Sequence, residues 1–216
     1  MRKFVAEFLG TAFLLAVVVG SGIMGERLSG GNAGIALLAN TLATGAGLIF
    51  LILTFGMISG AHFNPAVTLT AVFNRELNLR EVPLYLLAQI SGAFAGVAAA
   101  NFMFELPVFF ASNKTRTGAA QLFSEFLATF GLIAVIQAGV KFHPRFVAIM
   151  VAAYITAAYW FTSSTSFANP AVTLARSASD TFAGIRPVDV LPFITAQFLG
   201  AFVAAILFRW LLKEEK

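Results

Sequence analysis

"NPAVTL" occupies residues 64–69 and recurs, letter for letter, at residues 169–174. Asn is a strong N-cap, and Pro suits the first helical position because its missing N–H is not needed there. Each copy therefore reads as the start of a helix. The segments they open, 64–73 and 169–178, are short. At 1.5 Å per residue each covers about 15 Å, half of a ~30 Å hydrocarbon core.

The sequence around both copies is strongly apolar. The 216 residues are 59% hydrophobic and 11% charged, with 24 Phe, and the mean hydropathy is +0.86. An ordinary globular domain carries roughly 25% charged residues. Runs such as "LATGAGLIFLILTFGMI" (42–58) and "VDVLPFITAQFLGAFVAAILFRWLL" (188–212) have no polar face for a soluble helix. Spans of about 20 such residues predict membrane-crossing helices. Six are expected, at 4–24, 34–58, 83–104, 120–140, 146–163 and 190–212. The first begins directly after "MRK", with no small-residue cleavage site or soluble chain beyond it, so it reads as a span and not as a secretory signal.

Cys is absent, which excludes a disulfide framework and thiolate metal sites. The net charge of +4 sits at span ends and does not form a nucleic-acid surface. With six spans, both termini share one side of the membrane. Nine cations fall there (Arg2, Lys3, Arg75, Arg80, Lys141, Arg145, Arg209, Lys213, Lys216) and five on the other side (Arg27, Lys114, Arg116, Arg176, Arg186). The positive-inside bias then places the termini in the cytoplasm, for a bacterial chain at the inner (plasma) membrane.

The repeat extends beyond six letters. "AEFLGTAFLLAV" (6–17) matches "SEFLATFGLIAV" (124–135), aligning Glu7 with Glu125 and Thr11 with Thr129. "LLAQISGAFAG" (86–96) matches "ITAQFLGAFVA" (194–204), aligning Gln89 with Gln197. Each half, about 1–106 and 118–216 of one channel domain, holds three spans and one short segment. Three is odd, so the halves are inverted relative to each other. The expected fold is all-α and integral to the membrane: six transmembrane helices plus two re-entrant half-helices whose N-termini meet near the midplane. Irregular backbone at that depth is tolerated only inside protein or beside a water-filled cavity.

The paired Asn-Pro-Ala motifs, "SGAHFNPAV" (59–67), the paired "EFL.T" openings and the paired "AQ..GA" segments make the whole chain resemble the aquaporin (major intrinsic protein) family. The resemblance implies a homotetramer in the lipid bilayer, with a narrow pore through each protomer for water or small neutral solutes. It implies no cofactor. Pore motifs Asn64, Pro65, Ala66 and Asn169, Pro170, Ala171 would meet at the centre, with both Asn side chains donating to the passing molecule. Facing helix dipoles would disfavour cations.

The second motif departs from that family where the outer constriction lies. Most members carry Arg directly after the second NPA; here the residue is Val172. Ungapped register puts the other constriction positions at Thr44, Ala157 and Ser166. All four are small or nonpolar, which predicts a wide, uncharged outer filter. It favours solutes larger than water: glycerol-like polyols, urea-like molecules or metalloid hydroxides such as arsenous acid, as in an aquaglyceroporin. A water-selective channel is the alternative.

Arg176 lies four residues after Val172. It can reach back toward the filter, or serve as an outer-vestibule cation or a partner of Asp180. Intramembrane Glu7 and Glu125 raise a second choice, between proton coupling in a secondary transporter and acceptance of backbone N–H groups from the two re-entrant loops. The resemblance favours the second. His62 and His143 read as loop histidines with pH gating as the sharper option. "GAFAG" (92–96) has small-residue spacing for close helix contact. Two His, no Cys and no clustered carboxylates argue against an enzyme.

Overall fold

The computed structural model describes residues 1–213, so Lys216, counted above among the cations, lies outside the described residues. These residues form eight α-helices and no strand: α1 (Arg2–Leu28), α2 (Ala33–Ser59), α3 (Pro65–Phe73), α4 (Val82–Met103), α5 (Ala119–Phe142), α6 (Val147–Phe161), α7 (Pro170–Arg176) and α8 (Pro187–Leu211). Six are long and apolar enough to cross a membrane when the short turns leading into α4 and α6 are included. α1 runs past its apolar stretch through Glu26 and Arg27, because a helix continues into the polar boundary when its own N–H groups are already satisfied.

The two short helices are α3 and α7, of 9 and 7 residues. At 1.5 Å per residue they add to about 24 Å, not the ~30 Å expected from ten residues each. The remaining depth is taken by the irregular stretches that lead into them. α7 stops early because the Ser177 hydroxyl donates to the Leu174 carbonyl at 2.7 Å and Arg176 turns aside to the Ala183 carbonyl.

Packing follows the repeat. α1 lies against α2 and α4, and α5 lies against α6 and α8, while α2 meets α6 across the halves. The α1–α4 and α5–α8 contacts bring backbones together. A Cβ on Gly92 would sit 2.4 Å from the Phe8 carbonyl oxygen, and one on Gly96 would sit 2.1 Å from that of Ala12. Gly200 occupies the matching place, where a Cβ would come 2.2 Å from the Phe126 carbonyl oxygen. The small-residue spacing of "GAFAG" thus serves contact within the protomer. The outer faces of the long helices carry exposed Phe13, Leu42, Leu53, Phe102, Leu191 and Trp210, the surface expected against lipid.

Candidate permeation pathway

Asn64 and Asn169 adopt extended backbone and cap their helices through side-chain oxygens. Asn64 accepts from Ala66 N at 2.9 Å; Asn169 accepts from Ala171 N at 3.0 Å and Val172 N at 3.3 Å. Their amide nitrogens cross between the halves. Asn64 Nδ2 donates to the Ala168 carbonyl at 2.8 Å, and Asn169 Nδ2 donates to the Phe63 carbonyl at 2.8 Å. A side-chain amide has two N–H donors, so each Asn keeps one beyond this mutual lock. The N-termini of α3 and α7 meet at this point, placing two positive helix ends together.

The approach to each cap is twisted in the same way. Ala61 and Phe63 have φ of 49°, and Ser166 and Ala168 have φ of 51° and 48°. Left-handed backbone costs an L-residue about 1–2 kcal/mol. The carboxylates hold both twists in place. Glu7 accepts from His62 N at 2.9 Å, Phe63 N at 2.7 Å, Ser59 Oγ at 2.7 Å and Gln89 Nε2 at 2.8 Å. Glu125 accepts from Phe167 N at 2.8 Å, Ala168 N at 2.9 Å and Gln197 Nε2 at 2.6 Å. Both carboxylates are fully buried and face donors on each oxygen. The geometry is that of loop acceptors.

A cavity of about 570 Å³ runs past the Asn pair, from Lys3 and Glu76 on the side of the termini to Arg176 at the other end. Gly60, Ala61, His62, Ser166 and Phe167 line it, and their carbonyls accept no hydrogen bond from the protein among the described residues. The Ser166 hydroxyl is buried there and also unpartnered. His62 bonds Thr68 Oγ1 through Nδ1 at 3.1 Å and packs against Tyr85, with ring centroids 5.3 Å apart. His143 is exposed at the C-terminal end of α5, away from the cavity lining.

Of the four expected constriction residues, Thr44, Ser166 and Val172 line the cavity. Ala157 does not: it is exposed on the outer face of α6. The wall there is built by Val147, Val151, Ile155 and Tyr159, a four-residue stripe. Ala157 is two residues from Tyr159 and so about 200° around the helix. The four-residue spacing of the stripe was the available signal. Tyr159 Oη lies 3.2 Å from Thr44 Oγ1.

The outer end is also not uncharged. Arg176 is 2% exposed, lines the cavity near Val172, and donates through Nε to the Ala183 carbonyl. Its Cζ lies 3.4 Å from the centroid of the Phe167 ring. Arg116 also lies over that ring, at 4.7 Å, and is fixed by the carbonyls of Gly184 (2.8 Å) and Ser164 (2.9 Å). Asp180 does not pair with Arg176; it accepts from Asn113 N at 2.8 Å and Asn113 Nδ2 at 3.0 Å. Nothing in the loop sequence distinguished Arg116 from a surface cation.

Comparisons with known proteins agree with this architecture. The family described as Major intrinsic protein matches residues 1–146 and 139–216. The chain is 55% identical to aquaglyceroporin AqpS of Rhizobium meliloti (strain 1021) over 215 residues, covering 100% of this chain and 92% of that protein. It is 30% identical over 149 residues to the probable glycerol uptake facilitator protein of Thermotoga maritima, 62% of each. The X-ray structure of the aquaglyceroporin from Plasmodium falciparum superposes with a TM-score of 0.71 at 24% identity, over 96% of this chain and 94% of that one.

Proposed function

The chain belongs to the major intrinsic protein family, and from that membership we propose that it is a passive channel for water and small uncharged solutes, with polyols of glycerol size among them. The observation that carries the reading is the cavity threaded between two half-helix N-termini, where Asn64 and Asn169 each keep an N–H donor. Relatives named as an aquaglyceroporin and a glycerol facilitator support the solute class. Urea-like molecules and metalloid hydroxides such as arsenous acid share the same chemistry: small, neutral and rich in hydrogen-bonding groups.

Thr44, Tyr159, Ser166 and Val172 form the selectivity wall, and Arg176 supplies its cation from one turn beyond the usual position. Arg176 raises the barrier to cations, and Val172 leaves the wall wider than an Arg would. Glu7 and Glu125 support the loops and take no part in proton coupling. The chain assembles as a homotetramer in a plasma membrane with its termini in the cytoplasm.

Stopped-flow light scattering on proteoliposomes with glycerol, urea, arsenite and water tests the channel. Glycerol flux well above that of empty liposomes is expected, and its absence overturns the solute reading. Arg176→Leu is expected to leave glycerol flux within twofold while raising proton or sodium leak at least tenfold. An unchanged leak removes Arg176 from the filter.

A further inference from the structure

On the side of the termini, the cavity wall from α5 and α6 is aliphatic: Ile133, Ile136, Val140, Val147 and Val151. Gln137 interrupts it, four residues after Ile133 and so on the same helix face. It lines the cavity and is 9% exposed. Its amide nitrogen makes no hydrogen bond among the described residues and is covered even from a water molecule, so the terminal amide turns about its last torsion to present that donor to the cavity.

An unmade bond of this kind costs about 1–3 kcal/mol, and an apolar side chain of similar size avoids that cost. The fold does not demand the amide. The repeat that aligns Glu7 with Glu125 aligns Leu14 with Leu132, Val18 with Ile136 and Gln137 with Val19. Val19 is fully buried at the equivalent place, so helix packing there is satisfied without a polar group. An amide that burdens stability at one point of a conduit wall is explained by a partner that arrives through the conduit.

We propose that Gln137 is a specificity-determining residue, a hydrogen-bonding station for solutes with two or more hydroxyl or amide groups. This deepens the channel reading and rests on it. A molecule leaving the Asn pair toward the termini has lost its hydration shell. The carbonyls of Gly60, Ala61 and His62 accept its hydroxyl or N–H groups along one line. A larger solute has further polar groups turned away from that line, and Gln137 is the group that meets them in an otherwise apolar wall. Water has one centre and the carbonyl row serves it alone.

The test uses the full-length channel in proteoliposomes, comparing wild type with Gln137→Leu and Gln137→Met. Glycerol and urea permeability fall about tenfold in both variants, the worth of one hydrogen bond near 1.4 kcal/mol. Water permeability changes less than twofold. Unfolding midpoints in detergent stay equal or rise, since each variant removes an unpaired polar group; a structural role would lower them. Unchanged glycerol and urea flux overturns the proposal, as does an equal fall in water and solute. A wild type that passes no glycerol is a different failure, because it removes the solute-channel reading before Gln137 is at issue.

Discussion

Glu125 is fully buried and faces two backbone N–H groups and one amide donor at 2.6–2.9 Å. Replacing it with Gln puts an N–H where an acceptor is required and removes a charge-assisted bond. Loss from such a buried cluster costs about 3 kcal/mol. The expected outcome for Glu125→Gln is a markedly lower unfolding midpoint in detergent and loss of solute flux, both measurable on purified protein. Glu125→Asp, too short to reach both loop amides, should behave similarly. Glu7 and Glu125 were legible in the sequence because they occupy the same register in both halves, which a chance intramembrane acid would not. Tyr159 and Arg116 were not legible in the same way. The four-residue stripe marks Tyr159 as facing the cavity. Its depth along the conduit, however, depends on how many residues the following loop consumes, and that is set by three-dimensional closure. Arg116 comes to lie over the Phe167 ring only because its loop folds inward onto Ser164 and Gly184.

Helix contacts set a sharper limit on change than composition suggests. Gly200→Ala would press a methyl to within 2.2 Å of the Phe126 carbonyl oxygen, and a backbone atom cannot step aside without moving α5 against α8. Overpacking of this kind costs about 1–3 kcal/mol or more. Gly20→Ala would meet only the Phe104 ring at 3.5 Å, ordinary contact, and should stabilise α1 by about 0.5–1 kcal/mol. Paired thermal unfolding of the two variants checks both signs. Helix existence was readable from apolar run length, whereas helix ends were not: α1 outruns its hydrophobic stretch and α7 stops short.

The outer loops have an electrostatic clasp of their own. The N–H groups of Asn113 hold the Asp180 carboxyl below its ordinary value of 3.8. A depressed acid contributes its stabilisation in full above its unfolded value, and loses it as pH falls through the folded one. Hydrogen exchange at Asn113 should therefore match that of an Asp180→Asn variant in strong acid. Between pH 5 and 8 it should be slower than in the variant.

At the scale of the molecule, the inverted repeat makes one pore from two incomplete halves. The long helices expose apolar side chains outward, and the polar groups concentrate along the conduit and in the two carboxylate clusters behind it. Symmetry was readable because the repeat carries the same side chains at the same spacing. The departures from symmetry, Arg176 against Ala71 and Gln137 against Val19 in register, show as differences once the halves are overlaid. The width of the wall they make depends on rotamers and loop closure, which no spacing encodes.

The crossing bonds between Asn64 and Ala168 and between Asn169 and Phe63 also bear on how the protein is made. Ribosomes add roughly 5–20 residues per second, so the second loop follows the first by about 5–20 s. Throughout that interval the Phe63 carbonyl and the Asn64 amide lack the partners that the finished fold gives them. The lock between the two half-helices therefore closes only after Ala168 and Asn169 have been made, and the meeting point at the pore centre is the last part of the first half to be fixed.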